Sequence, residues 1–203
     1  LRCCTVCRYH RSLYCRLLLA LPSYGQGRDY VGPRHTSLLH GEHLQNVTIR
    51  GLDTNTSLLD GKGAYWYHRR EQRTEGNVTR GSLIEFLYSR DIRLYDISLR
   101  DSPFWNFHVF DCDNVHVRNC HVSTTPGQSS PNTEGWDPDS SRNVLIEDST
   151  YHGGDDCVAI KSGWDCFGIY YDTPTVNVTL RNLTCGGSGS IAIGSEMSGG
   201  IEN

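Results

Sequence analysis

The chain has 203 residues, a formal charge of −4, 37% hydrophobic residues and 21 glycines, which suits one sizeable core and excludes a largely disordered chain. Its mild acidity excludes a generic nucleic-acid or anionic-membrane binder, because those carry a basic excess. No run approaches the roughly 20 apolar residues of a membrane-spanning helix.

Residues 1–20 differ from the remainder of the chain. "LRCCTVCRYHRSLYCR" is basic, holds Cys3, Cys4, Cys7 and Cys15, and shows neither the strand nor the helix period. It reads as an irregular terminus or a misjudged gene boundary, and no Cys/His pair lies beyond it at zinc-site spacing. "LLLAL" (Leu17 to Leu21) is shorter than the ~7–15-residue core of a signal peptide. Five Asn-X-Ser/Thr sequons begin at Asn46, Asn55, Asn77, Asn177 and Asn182, more than chance gives a chain of this size. They favour the secretory pathway, where disulfides are also permitted.

From about Leu44 a motif recurs, an Asn or Asp followed by an aliphatic residue, any residue and another aliphatic. It reads "NVTIRG" at Asn46, "DIRLYD" at Asp91, "NVHVRN" at Asn114, "NVLIED" at Asn143 and "NVTLRN" at Asn177, the last four at intervals of 23, 29 and 34 residues. Each copy alternates like a short strand between polar turns. A second series is interleaved: "SLIEFLY" from Ser82, "WNFHVF" from Trp105, "DCVAIKS" from Asp156 and "SIAIGS" from Ser190. Helical periodicity is absent over any useful length. Short strands recurring without helices between them mark a solenoid. Two series per repeat fit an all-β, parallel β-helix, in which corresponding residues of neighbouring coils stack about 4.7–4.9 Å apart.

That stacking brings "SPNTEGWDPDSS" (Ser130 to Ser141) against "GGDDCVAIKSG" (Gly153 to Gly163), with Glu134 and Asp155 separated by 21 residues, about one coil. Glu134, Asp155 and Asp156 then share a patch. Carboxylates at that range cannot all ionise easily, so at least one pKa is raised. A protonated carboxyl beside an ionised one is the pair that cleavage of a glycosidic bond requires. Acidic pairs near turns also cap backbone N–H groups or hold a structural cation such as calcium, and that reading stays open on the residues alone.

The three motifs "SPNTEGWDPDSS", "GGDDCVAIKSG" and "SIAIGSEMSGG", in this order, resemble the polygalacturonases of glycoside hydrolase family 28, in particular their plant-like branch. "LPSYGQGRD", "SLLHGEHLQNVTI", "LIEFLYSRDI" and "DSPFWNFHVFDCDNVHVRN" extend the resemblance over residues 21 to 203, a partial pectinase-type β-helix domain. It implies a right-handed β-helix, incomplete at both ends, and inverting hydrolysis of α-1,4-linked galacturonan, the backbone of pectin. It further implies a secreted, cell-wall setting, a polysaccharide substrate, no cofactor, no metal, no nucleic-acid or membrane partner, and a monomer.

By the same resemblance Asp155 is the general acid, while Asp156 and Glu134 activate water. Glu134 stands where the family has Asp, one methylene shorter, and a 1 Å displacement of a catalytic group can cost about a hundredfold in rate. Asn132 orients the loop or binds sugar; Asp137 and Asp139 fix the loop, with Asp137 also a candidate substrate contact. Lys161 offsets the acidic charge, meets a uronate or points to solvent. Gly189 falls where many members carry a histidine, and the family's Arg-X-Lys motif lies beyond Asn203. Trp136 and Trp164 are expected in loops, stacking on sugar or sealing the solenoid; His152 is expected to be a loop residue. Cys157 and Cys185 match a pair bridged in many members, and Cys112 with Cys120 is a further possible pair. A catalytically impaired, carbohydrate-binding remnant and a calcium-dependent lyase are the competing readings, the latter needing a basic residue that only Arg142 supplies nearby.

Overall fold

A ribbon of short alternating strands buries its apolar side by winding on itself, and the computed structural model shows that outcome, a parallel β-helix. It describes residues 17–25, 33–72, 78–127 and 129–203. Cys3, Cys4, Cys7, Cys15 and the sequon at Asn77 lie outside these residues. A short antiparallel pair opens the described chain, β1 (Leu17–Leu18) with β2 (Arg34–His35). The rest is parallel. One ladder stacks β3 (Leu39–Glu42), β6 (Ile84–Leu87), β9 (Phe107–Phe110), β12 (Trp136–Asp139), β14 (Val158–Ile160) and β16 (Ile191–Ile193). A second stacks β4 (Gln45–Arg50), β7 (Arg90–Tyr95), β10 (Asp113–Arg118) and the first halves of β13 (Arg142–Gly153) and β15 (Thr175–Gly187), with β17 (Ile201–Glu202) against β15. A third joins β5 (Leu58–Asp60), β8 (Ser98–Arg100), β11 (His121–Ser123) and the second halves of β13 and β15.

The sequence intervals are coil lengths. Ile92, Val115, Val144 and Val178 occupy one row of the second ladder, so the 23-, 29- and 34-residue steps are the turns between them. Inward rows such as Ile84–Phe107–Trp136–Val158 and Leu94–Val117–Ile146 fill the interior. Trp136, expected in a loop, is fully buried there. The strand starts immediately after Gly135, and alternation turns Trp136 inward and Asp137 outward.

Asn and Asp recur because the coil must turn at the same place each time. Asn46, Asp91, Asn114, Asn143 and Asn177 all have φ between 56° and 59°, the left-handed region that costs most L-residues about 1–2 kcal/mol and that Asn and Asp visit most readily. Their side chains also bond from coil to coil: Asn114 donates to Asp91, and Asn177 donates to Asn143 at 2.8 Å. A second corner repeats the device, with Asn119 donating to Asp96 and Asn182 to Asp148, both at 2.8 Å. Three of the sequons, those at Asn46, Asn177 and Asn182, are residues of these corner rows. The solenoid itself therefore accounts for much of their excess.

Two short helices interrupt the β pattern, α1 (Ala64–Glu71) and α2 (Asp165–Tyr171). With 8 and 7 residues, each is about two turns, too short to print a 3.6 period on the sequence. α1 buries Trp66 and Tyr67, and the Tyr67 hydroxyl donates to Ser102 O at 2.6 Å.

The cysteines sort by place in the coil. Cys157 and Cys185 form a disulfide across a separation of 28 residues, tying the start of β14 to β15. Cys112 and Cys120 do not pair; both are free and buried. They flank the six-residue strand β10, whose own length of about 20 Å at about 3.3 Å per residue keeps them well beyond bridging distance. Each belongs to its own polar row instead: Cys112 N donates to Ser141 Oγ and Cys120 N to Ser149 Oγ, both at 3.0 Å. Burial pushes both thiols up to about 12.

Two measurements check this account. Cys157→Ser in urea unfolding is expected to lose about 3–4 kcal/mol, the chain-entropy value for a loop of this length. Asn143→Ala is expected to lose about 1–2 kcal/mol and Asn143→Gly clearly less, because glycine keeps the left-handed backbone at no steric cost; equal losses would show that the φ constraint is not the cause.

Candidate active site

The acidic site is built where two loops meet at the entry to the first ladder. One loop, Ser130 to Gly135, leads into β12 and is fixed from several sides. Thr133 Oγ1 donates to Ser130 O at 2.6 Å, and Asn106 Nδ2 donates to Thr133 O and Glu134 O, each at 3.0 Å. The buried Arg80 donates to Pro103 O at 2.8 Å, to Pro131 O at 3.1 Å and to Asn132 Oδ1 at 3.2 Å. Glu134 therefore leaves a loop that has little freedom to move.

The second loop, Gly153 to Asp156, links β13 to β14 one coil further on. Asp155 Oδ2 accepts from Asn132 N at 2.6 Å and Asp155 Oδ1 from Asp156 N at 3.0 Å. Gly135 N donates to Asp156 O at 3.0 Å, which seats Asp156 beside Glu134 in the stack. The Asp156 side chain accepts from Ser190 Oγ on the next coil. Tyr151 couples the loops: its hydroxyl donates to Thr133 O at 3.2 Å and accepts from Asp155 N at 3.1 Å. The same ring closes the histidine position of the resemblance, since a Cβ at Gly189 would stand 2.9 Å from Tyr151 Cδ1 and 3.0 Å from Gly186 O.

Below this rim lies a buried charge cluster. Lys161, 2% exposed, places Nζ 2.8 Å from Glu196 Oε2, 3.6 Å from Asp137 Oδ1 and 3.8 Å from Glu134 Oε1, and lies 4.6 Å from the Trp105 ring centroid. Glu134 Oε2 and both Asp137 oxygens are buried with no hydrogen-bond partner. Burial raises the Glu134 carboxyl to about 7, with Lys161 opposing and Asp155 adding to the rise. Burial likewise holds Asp137 well above the usual carboxylate range. Lys161 is raised as well: burial alone would lower it, but Asp137, Glu134 and Glu196 outweigh that. Alongside runs a second buried chain. His108 bridges Glu85 at 3.2 Å and Asp139 at 3.1 Å, Tyr24 donates to Asp139 at 2.7 Å, and Arg34 pairs with Glu85 at 3.2 Å.

Of the residues read from the sequence, Glu134, Asp137 and Lys161 are in one ion cluster, and Asp155 joins it electrostatically and through Asn132. Asp156 sits beside Glu134 along the backbone while its side chain faces Ser190. Asp139 serves the Tyr24–His108 chain. Lys161 is neither outward-solvated nor at the rim. Trp164, 42% exposed, opens α2 and its backbone N–H donates to Ser23 O at 2.9 Å. His152 lies exposed on β13, a strand rather than a loop. Glu196, Arg80, Tyr151 and Tyr24 are missed by sequence reasoning, because each acts across a coil or a covering segment. Glu196 stands within the quoted "SIAIGSEMSGG", yet its partner is 35 residues away. Leu21 and Tyr24 pack with Leu87, Phe104, Trp105 and Phe110, so the outward face of the first ladder is covered here. Asp155 and Asp156 remain half-buried.

Comparison with known proteins points the same way. The profile of glycosyl hydrolases family 28 matches residues 26–203. A probable polygalacturonase of Vitis vinifera is 45% identical over 188 residues, covering 90% of this chain and 36% of that protein. Among solved structures, a hyperthermoactive exopolygalacturonase from Thermotoga maritima superposes with a TM-score of 0.77 at 25% identity, over 94% of this chain and 48% of its own. The polygalacturonase of Erwinia carotovora ssp. carotovora gives a TM-score of 0.70 at 25% identity, over 83% of this chain and 44% of its own. The chain thus spans about a third of the length of the curated relatives it matches. With the profile, the wound fold and the stacked acidic loops in agreement, the chain belongs to glycosyl hydrolases family 28.

Proposed function

We propose that this chain carries the acid/base site of a secreted hydrolase that cleaves α-1,4-galacturonan with inversion. The observation that carries the reading is the meeting of Glu134 and Asp155 from adjacent coils, with Asp155 fixed by Asn132 N–H and Glu134 held near neutrality by burial. Asp155, half-buried at the rim, donates a proton to the departing sugar oxygen. Glu134 and Asp156 take a proton from the attacking water. A carboxylate raised to about 7 is a stronger base than an ordinary one, and a base poised near the working pH is the efficient case. Asn132 orients both loops at the sugar-facing edge. Asp137 and Lys161 act from beneath, where the lysine's charge keeps Glu134 from rising further.

Galacturonan is favoured over a neutral glycan because relatives across the family carry the polygalacturonase name. The impaired-remnant reading draws on Glu134 in place of the family's Asp and on Gly189, where the Cβ of the histidine that many members carry would crowd Tyr151 and Gly186. A single assay separates these two readings from each other and from a lyase. Purified chain is incubated with polygalacturonate, and reducing ends are measured together with the ultraviolet absorbance of unsaturated product. Reducing ends without absorbance, lost by about 10²–10⁴-fold in Asp155→Asn, support the hydrolase. Calcium-dependent absorbance supports a lyase, and a folded chain that binds the polymer without cleaving it supports the remnant.

Glu134→Asp restores the family's residue and is expected to raise kcat by about tenfold to a hundredfold, since it corrects a displacement of roughly 1 Å. A fall in kcat would show that this site is built around the longer side chain.

A further inference from the structure

Lys161 is one cation facing three carboxylates, and only one of them is within hydrogen-bonding reach. Glu196 Oε2 lies at 2.8 Å, while Asp137 and Glu134 stand off at 3.6 and 3.8 Å. Attraction falls with distance, so Glu196 holds the largest share of the lysine's charge. The arrangement is built rather than incidental. Ser162 N donates to Glu196 O at 2.6 Å and Lys161 N to Pro138 O at 2.8 Å, so both backbones are clamped and the side chains meet between them. Glu196 is itself only 3% exposed. The two carboxylates beyond hydrogen-bonding reach of the lysine are the ones with unsatisfied oxygens, Glu134 Oε2 and both of Asp137.

We infer that Glu196 is a positioning residue of this site: by fixing Lys161 Nζ to itself, it withholds the lysine from Glu134 and Asp137 and so sets which carboxylate of the cluster keeps a proton. The catalytic meaning rests on the hydrolase reading above; the charge partition does not. The other titratable groups facing the cluster are Asp155 and Tyr151 at the loops, Tyr24 from the covering segment, whose phenol is tied to Asp139, and His108, the ladder neighbour of Asp137. The His108 ring is held between Glu85 and Asp139, so its charge is engaged by those two carboxylates and Lys161 is the cation whose ion pairs reach Glu134 and Asp137.

The two members of the pair pull Glu134 in opposite directions. Glu196→Gln removes a negative charge and frees the lysine to approach Glu134, and both changes favour the carboxylate. Lys161→Met removes the cation alone and favours the acid. The test is a pH titration of the full chain carrying 13C at the Glu side-chain carboxyls, with the Glu134 resonance assigned through Glu134→Gln. Expected results are a midpoint lowered by about one pH unit, a tenfold change in proton affinity, in Glu196→Gln, and a raised midpoint in Lys161→Met. Glu196→Asp keeps the charge but withdraws it, and is expected to give a smaller downward shift; it serves where the glutamine variant does not fold. An unchanged or raised midpoint in both Glu196 variants would overturn the inference. Because the signal is read without turnover, an inactive wild-type chain with these shifts intact would count against the hydrolase reading alone. If the chain hydrolyses polygalacturonate, the acid limb of kcat/KM moves with the Glu134 midpoint, which a merely structural role would not produce.

Discussion

A ribbon wound into coils keeps its inward rows aligned only if every coil turns at the same place. Here that constraint is met by left-handed Asn and Asp along two corner rows, held in file by amide-to-carboxylate and amide-to-amide hydrogen bonds between coils. A slip by one residue would exchange inside for outside along a whole strand, and the corner residues add to the burial that already opposes it. With the corners fixed, coil length becomes free to vary. The steps between stacked partners range widely, and the extra residues leave as α1, α2 and the acidic loops. The site is a by-product of this rule: two loops of different length are forced to begin and end on neighbouring rungs.

The cost of the arrangement is concentrated below those loops. Buried carboxylates without partners are unfavourable unless protonated or paired, and Asp137 has neither oxygen bonded. One lysine cannot neutralise Glu134, Asp137 and Glu196 together, so the cluster retains protons that ordinary carboxyls would lose. Stability is given up locally to leave one carboxyl, Glu134, that titrates near neutrality. Such local loss is common where chemistry is done, and the rigid corners supply the frame that tolerates it.

Much of the fold is legible in the sequence because the corner residue and the strand alternation repeat together. The Asn-aliphatic-X-aliphatic copies predict the second ladder and its coil lengths, which the partners of Val115 and Val144 reproduce. The third ladder is not legible because β5, β8 and β11 are three residues each, too short to show alternation. Trp136 reads as a loop residue for a related reason, since acidic and turn-forming neighbours mask a strand of four residues. In the site, Glu134, Asp155 and Asp156 are readable as neighbours because stacking converts one coil of sequence into one rung. Lys161 can be placed on its strand but not recognised as buried, because it lies on the outward face of the ladder, which Tyr24 and Leu21 cover. Glu196 and Arg80 carry no sequence signal, as their partners lie at unrelated intervals.

The two buried unpaired thiols, Cys112 and Cys120, bear on what happens when the coils open. Inside the closed stack Cys112 and Cys120 are shielded and weakly acidic, so they are poor nucleophiles. Released into water, a thiol returns to a pKa of about 8.5 and attacks disulfides through its thiolate. The Cys157–Cys185 bond is a target within the same chain. Each opening of the stack therefore exposes the bridge to exchange, and a mispaired chain cannot rewind with its rungs in file. The same burial that keeps these sulfurs silent makes the durability of the protein a matter of how seldom it unwinds.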